Sequence, residues 1–356
     1  MIMVREPRIP VAVFDAQSYD EEFLAPAFRA VGLEPHFHSA RLSPANVKLA
    51  DGARAVCVFV NDDLGRAVID ALVRMNVGLI ALRCAGFNNV DFEASHGRIR
   101  VVRVPAYSPH AVAEHAVALL LALNRKIHRA WLRTRDNNFS IHGLLGFDLF
   151  GKTAGIVGTG KIGRVVAEIF QGFGLRRLAY DPFPDTAWAA RTGVEYVPLE
   201  KLWAESDIIT LHCPLTPETV DIINAKSIAQ MKRGVVVINT GRGRLIDTRA
   251  LLQGLKSGRI GAAGLDVYEE EERYFFRDLS LTGIDDDVLA RLTTFPNVII
   301  TAHQAFFTQE AMTAIARTTA ENIRAWAYGE PLVNEVCVHC VRTGQPHEAH
   351  AVSGAS

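Results

Sequence analysis

Arg242 stands in Asn239-Thr240-Gly241-Arg242-Gly243, directly after the apolar run 235–238. Glycines on both sides let a guanidinium fork lie close to a ligand and hold a carboxylate through two parallel hydrogen bonds. A surface arginine in a turn is the plain alternative. His303 follows another apolar run, 298–301, and precedes Phe306-Phe307. An imidazole at a mouth lined by aromatics suits proton transfer near neutral pH, although a lone histidine is more often structural, so the assignment needs a partner that keeps the ring charged. The acidic run Glu269-Glu270-Glu271-Glu272 offers four carboxylates, and chemistry alone does not choose among them. A cation for a carboxylate, an acid for an oxygen and a group that keeps the acid protonated are what hydride transfer to a 2-keto acid needs besides a cofactor.

Gly158-Thr159-Gly160-Lys161-Ile162-Gly163 joins the apolar run 154–157 to the amphipathic stretch 161–170, which is the strand, turn and helix setting of a dinucleotide site. Gly158 permits the tight turn, Gly160 lets backbone N–H groups approach a pyrophosphate, and Gly163 lets helix and strand pack closely. Lys161 and Ile162 begin the helix whose N-terminus favours negative charge. The run 177–180 ends in Asp181, 18 residues past Gly163, where an acidic residue receives the adenosine ribose. A carboxylate accepts from a ribose 2′-OH and repels a 2′-phosphate, so NAD is expected rather than NADP. Two later strand ends complete the candidate cofactor set: His212, Cys213 and Pro214 with Thr219 beyond, and Thr240 with Gly241. His212 reads equally well as an exposed strand-end histidine.

The elements that must position these groups come in two series. Apolar runs at 11–15, 35–38, 55–60, 79–82 and 101–104 alternate with amphipathic stretches. A second series follows at 154–157, 161–170, 177–180, 207–211, 235–238, 248–255, 261–266 and 298–301. Such alternation predicts an α/β protein of two doubly wound parallel sheets, and 356 residues suit two domains. Ser108-Pro109 opens a long helix predicted over 108–129, and a last helix over 308–328 follows the second sheet, free to pack on either domain.

A net charge of −1 leaves no basic field for nucleic acid. No apolar run reaches the roughly 18 residues of a membrane span, the most apolar stretch being 116–123, and the first ten residues lack a secretory apolar core. A cytoplasmic protein is expected. Five cysteines, Cys57, Cys84, Cys213, Cys337 and Cys340, are odd in number and sparse, which predicts reduced thiols.

From about residue 11 to residue 335 the chain resembles the D-2-hydroxyacid dehydrogenase family, and within it the bacterial NAD-dependent branch acting on D-lactate. The resemblance is carried by Leu82-Arg83-Cys84-Ala85-Gly86-Phe87-Asn88-Asn89-Val90-Asp91, Val104-Pro105-Ala106-Tyr107-Ser108-Pro109, Ala113-Glu114-His115-Ala116 and the glycine loop. His212-Cys213-Pro214-Leu215-Thr216, the Arg242 turn, Leu265-Asp266-Val267-Tyr268-Glu269-Glu270-Glu271 and Thr301-Ala302-His303-Gln304-Ala305-Phe306 add to it. It implies that Arg242, Glu271 and His303 are catalytic, with Glu271 the partner of His303. It also implies that Ala85 and Gly86 offer N–H groups to the substrate carboxylate, with Tyr107 beside it, Phe306 on the substrate methyl and Asp266 on the nicotinamide amide.

The implied architecture is a flavodoxin-like substrate domain, 1–107 plus 306–335, and a Rossmann NAD domain, 108–305, with a cleft between them. Outside the resemblance, residues 336–356 are expected to form a flexible tail, since they lose periodicity and gain small and polar residues. The implied reaction is reduction of pyruvate to D-lactate with NADH in a homo-oligomer, dimer or tetramer. Glyoxylate, hydroxypyruvate or phenylpyruvate as substrate, and a non-catalytic NAD-sensing role like that of the family's corepressors, stay open. Gly241 departs from the family, which commonly has serine or alanine there. Cys337, His339, Cys340, His347 and His350 include one C-x-x-C with no second pair, which is weak evidence for a metal site, and no metal is expected.

Overall fold

The computed structural model describes residues 8–338. His339, Cys340, His347 and His350 lie outside the described residues, as do residues 339–356 of the tail expected over 336–356. The chain packs as two compact units, one of residues 8–108 and 308–338, the other Pro109–Phe307.

The first unit is built on β1 (Ile9–Val13), β2 (Leu33–Phe37), β3 (Ala55–Val58), β4 (Leu79–Leu82) and β5 (Arg100–Val102), all parallel in the order β2-β1-β3-β4-β5. Every residue of β3 and β4 is buried, as expected for parallel strands covered by helices on both faces. One face packs Ala12, Val56, Ile80 and Val101 against Val68, Ile69 and Leu72 of the helix Arg66–Arg74. The other packs Val11, Val13, Cys57 and Ala81 against Leu24 and Phe28, and against Ala316, Ala320 and Ile323 of the helix Gln309–Ala327. The last helix therefore belongs to this sheet, which settles a placement that the apolar pattern left open.

The second unit holds β6 (Thr153–Val157), β7 (Arg176–Tyr180), β8 (Glu195–Tyr196), β9 (Ile208–Leu211), β10 (Val235–Asn239), β11 (Ile260–Leu265) and β12 (Val298–Ile300). Their order is β12-β11-β10-β9-β6-β7-β8, again all parallel. Strand order reverses between β6 and β9, and ligands of open α/β sheets lie outside the carboxyl ends of strands at such a point. β8 has only two residues, too few for a periodic signal, and it went unpredicted.

The helix expected over 108–129 is broken in two. Pro109–Arg125 buries Ala113, Ala116, Leu119, Leu120 and Leu123. Lys126 then takes a left-handed conformation at φ 51°, and the helix Ile127–Arg135 buries nothing. Periodicity did not reveal the break because apolar residues continue across it; on the far side Ile127, Trp131 and Leu132 are exposed instead of packed. Among the described residues no helix is long and apolar enough to cross a membrane.

Candidate active site

The glycine loop after β6 lies at the reversal of strand order. Gly158 has φ +94°, and a Cβ there would meet the backbone of His212 and Cys213 at 2.6–2.8 Å, so only glycine lets the β6 and β9 strand ends come together. A Cβ on Gly163 would strike the Gly158 carbonyl oxygen at 2.0 Å. Gly160 opens on space, at the start of the helix Lys161–Gly172, and that opening is where backbone N–H groups can meet a pyrophosphate. Asp181, at the end of β7, accepts from Thr159 N–H at 2.7 Å and the Thr159 hydroxyl at 3.0 Å through Oδ2, and from Phe183 N–H at 3.0 Å through Oδ1. Its carboxylate is thereby fixed beside the loop while staying partly exposed.

Thr240 Oγ1 is buried with no hydrogen-bond partner among the described residues, an orphan a bound molecule can satisfy. Burial lowers the His212 imidazole to about 4, so the ring is neutral near pH 7; its Nε2 lies 2.8 Å from Thr210 Oγ1. Burial pushes the Cys213 thiol up to about 11, which keeps it protonated and poorly reactive. Pro214 is exposed. The Thr219 hydroxyl is engaged within its own turn, accepting from Thr216 N–H at 2.7 Å and donating to the Pro214 carbonyl at 2.6 Å. These residues fit a dinucleotide: the glycine loop would hold its phosphates and Asp181 its ribose.

Arg242 follows β10, half-buried, and forms no ion pair with any described residue; Nη1 donates to the Gly241 carbonyl at 2.8 Å. Asn239, which sequence reasoning quoted but did not single out, shapes this turn. It accepts from Gly241 N–H at 3.0 Å and donates to the Arg242 carbonyl at 2.9 Å. A buried amide at the last position of an apolar strand was the available signal. The two glycines differ in purpose. A Cβ on Gly243 would lie 2.1 Å from the Tyr268 carbonyl carbon, so Gly243 lets the Arg242 turn lie against the segment that leads to Glu271. A Cβ on Gly241 would meet only the end of Leu245 at 3.2 Å within close range.

His303 Nδ1 lies 2.8 Å from Glu271 Oε1, and Glu271 Oε2 accepts from Tyr268 N–H at 3.0 Å. Sequence chemistry left four glutamates open; the geometry brings Glu271 to the ring. The imidazole is flanked by Phe276 and Phe306, with ring centroids 6.1 Å and 6.4 Å away. His303 itself has φ 53°, a strained backbone for a residue that is neither glycine nor asparagine.

The clamp on that strained turn is Asp266, at the end of β11. Wholly buried, it accepts from the Thr301 hydroxyl at 2.5 Å and from the N–H groups of Gln304 and Ala305, each at 2.9 Å, while its carbonyl accepts from His303 N–H at 2.7 Å. Burial alone would raise this carboxyl; hydrogen bonds from His115, Thr301 and Ala305 outweigh it and hold the group below the usual carboxylate range. Expected on a nicotinamide amide, Asp266 also holds the loop that presents His303 through these bonds.

In the first unit, Ala85 and Gly86 sit half-buried in the loop after β4, and Tyr107, also half-buried, precedes the helix that begins at Pro109. Among the described residues no cluster of histidine, cysteine and acidic side chains is arranged to hold a metal. Cys57 and Cys213 are free thiols.

The family described as D-isomer specific 2-hydroxyacid dehydrogenase, NAD binding domain, matches residues 117–305. The chain belongs to the D-isomer specific 2-hydroxyacid dehydrogenases. It is 50% identical over 327 residues to a D-lactate dehydrogenase of Escherichia coli strain K12, covering 92% of this chain and 99% of that one. The pyruvate reductase of Chlamydomonas reinhardtii superposes with a TM-score of 0.88 at 43% identity, covering 93% and 99% of the two chains. A D-lactate dehydrogenase of Lactobacillus jensenii crystallised with NAD+ superposes at 0.78 with 32% identity, covering 92% and 99%. This chain is thus an NAD-dependent oxidoreductase of that family, with the family's NAD-binding unit between its two outer segments.

Proposed function

We propose that the protein reduces pyruvate to D-lactate, with NADH as the bound hydride source. The observation that carries the reading is the pairing of His303 Nδ1 with Glu271, which leaves Nε2 to deliver a proton, on the same unit as an Arg242 guanidinium that pairs with no carboxylate among the described residues. Arg242 binds the keto-acid carboxylate and steadies charge as it develops on the carbonyl oxygen. His303 Nε2 gives its proton to that oxygen as the keto carbon is reduced, and takes it back in the reverse reaction. Glu271 holds the ring in one orientation throughout. Phe306, buried beside His303, supplies an apolar wall for a methyl group. In the other unit Ala85 and Gly86 offer N–H groups to a carboxylate, with Tyr107 as a further substrate contact.

Pyruvate is favoured over bulkier keto acids, and D-lactate over its mirror image, because relatives about half identical over nine-tenths of the chain are D-lactate dehydrogenases. We further propose a homo-oligomer. Trp131, Phe139, Ile141, Leu145 and Phe150 are all more than half exposed along one stretch of 20 residues, an apolar arm suited to a second copy of the chain. The test of substrate is kcat/KM across pyruvate, glyoxylate, hydroxypyruvate and phenylpyruvate, with chiral analysis of the pyruvate product. Pyruvate should lead and D-lactate should form; a higher value for another acid, or L-lactate, would overturn the reading.

A further inference from the structure

The peptides that carry the Ala85 and Gly86 N–H groups are pinned from behind by the two residues that follow β5. Val104 N–H donates to the Cys84 carbonyl at 3.1 Å, and Arg103 Nη1 donates to the Ala85 carbonyl at 2.8 Å. In a trans peptide the carbonyl and the next N–H point in opposite directions. Anchoring the Cys84 carbonyl therefore turns Ala85 N–H away from the anchor, and anchoring the Ala85 carbonyl does the same for Gly86 N–H. Neither N–H donates to an acceptor among the described residues. The Arg103 guanidinium also lies over the Phe87 ring, 5.0 Å from its centroid. Its backbone is fixed by Asn334, whose carbonyl accepts Arg103 N–H at 3.1 Å, and by Asn322, whose side chain donates to the Arg103 carbonyl at 2.9 Å.

We infer that Arg103 is a positioning residue for substrate, tuning the Gly86 N–H as a carboxylate donor through the Ala85 carbonyl. The inference rests on the proposed keto-acid reading. A cationic donor on a carbonyl draws electron density through the peptide, so the N–H at its far end becomes a stronger donor. It also places a positive charge behind the loop. Both effects act on the substrate's carboxylate, which is equally charged before and during reaction, so they alter binding rather than the chemical step. The signature is a change in KM for the keto acid with little change in kcat.

The experiment compares wild type, Arg103→Met and Arg103→Lys in steady-state pyruvate reduction, with thermal melting of each and KM measured for pyruvate and NADH. Methionine keeps the length and loses donor and charge; KM for pyruvate should rise about threefold, the scale on which one hydrogen bond strengthens the next, with kcat and the NADH KM nearly unchanged. Lysine, which restores a charge and one donor, should recover part of that loss, and it decides the matter should the methionine variant not fold. An unchanged pyruvate KM in the methionine variant would overturn the inference. So would a lysine variant no better than methionine, or a parallel loss in kcat and NADH KM. Wild-type turnover of a keto acid tests the proposed function separately, since the inference lives only in the ratio of variant to wild type.

Discussion

Glu271 Oε1 and His303 Nδ1 are 2.8 Å apart, so the nitrogen of the ring that remains for a ligand is Nε2. The carboxylate is itself steadied by Tyr268 N–H on its other oxygen. Glu271→Gln keeps the shape but removes the negative charge facing the ring. Pyruvate reduction by this variant should lose kcat on the order of 100-fold, with NADH affinity measured by fluorescence unchanged. A kcat within twofold of wild type would separate Glu271 from proton transfer.

Gly243 and Gly241 make opposite predictions although they flank the same arginine. Gly243→Ala forces a methyl group into the Tyr268 carbonyl, so the Arg242 turn must move off the segment leading to Glu271. Overpacking of this kind costs roughly 1–3 kcal/mol, and activity should fall with it. Gly241→Ala asks only that the end of Leu245 shift by a few tenths of an ångström, and should melt and turn over like wild type. Equal effects at the two positions, by calorimetry and kinetics, would contradict the roles given to them.

The fold itself prepared readers of the chain unequally. All five strands of the first sheet and six of the seven in the second announced themselves as apolar runs, most plainly β3 and β4, which are buried along their whole length. β8 did not, being two residues long with Glu195 exposed. The glycine loop, Asp181 and Arg242 could be located because each follows a strand end. What could not be read was distance: nothing in four consecutive glutamates marks Glu271, and nothing in the Asp266 motif says that its side chain also holds Thr301, Gln304 and Ala305. Such partnerships arise from loops that meet across 30 or more positions of chain, and no local pattern records them.

His212 gives a pH dependence whose sign can be worked out. Burial moves it from the usual 6.5 to about 4, so between those values the unfolded chain binds a proton that the folded chain refuses. The contribution of His212 to stability is complete above pH 6.5 and declines as pH falls toward 4. Asp62, raised by burial to about 6, works in the opposite direction over an overlapping range, so the informative quantity is the difference between wild type and His212→Gln. Between pH 7.5 and pH 5 the wild-type Tm should fall further than that of the variant. Parallel losses would show that His212 titrates normally in the folded chain.

The apolar arm predicts association. Wild type should sediment as a dimer or tetramer, and Trp131→Glu combined with Leu145→Glu, two exposed positions of the arm, should shift the mass toward the monomer. A monomeric wild type, or a double variant with unchanged mass, would remove the arm as an interface.

The central claim is that His303 moves the proton while the keto carbon is reduced. His303→Asn tests it cleanly, because asparagine tolerates the left-handed backbone found at φ 53° and leaves the turn intact. The measurement is single-turnover oxidation of NADH by pyruvate in wild type and variant, with NADH binding followed in the same samples. The variant should bind NADH as wild type does and transfer hydride roughly 100-fold to 10,000-fold more slowly. A variant that oxidises NADH at the wild-type rate would contradict the account.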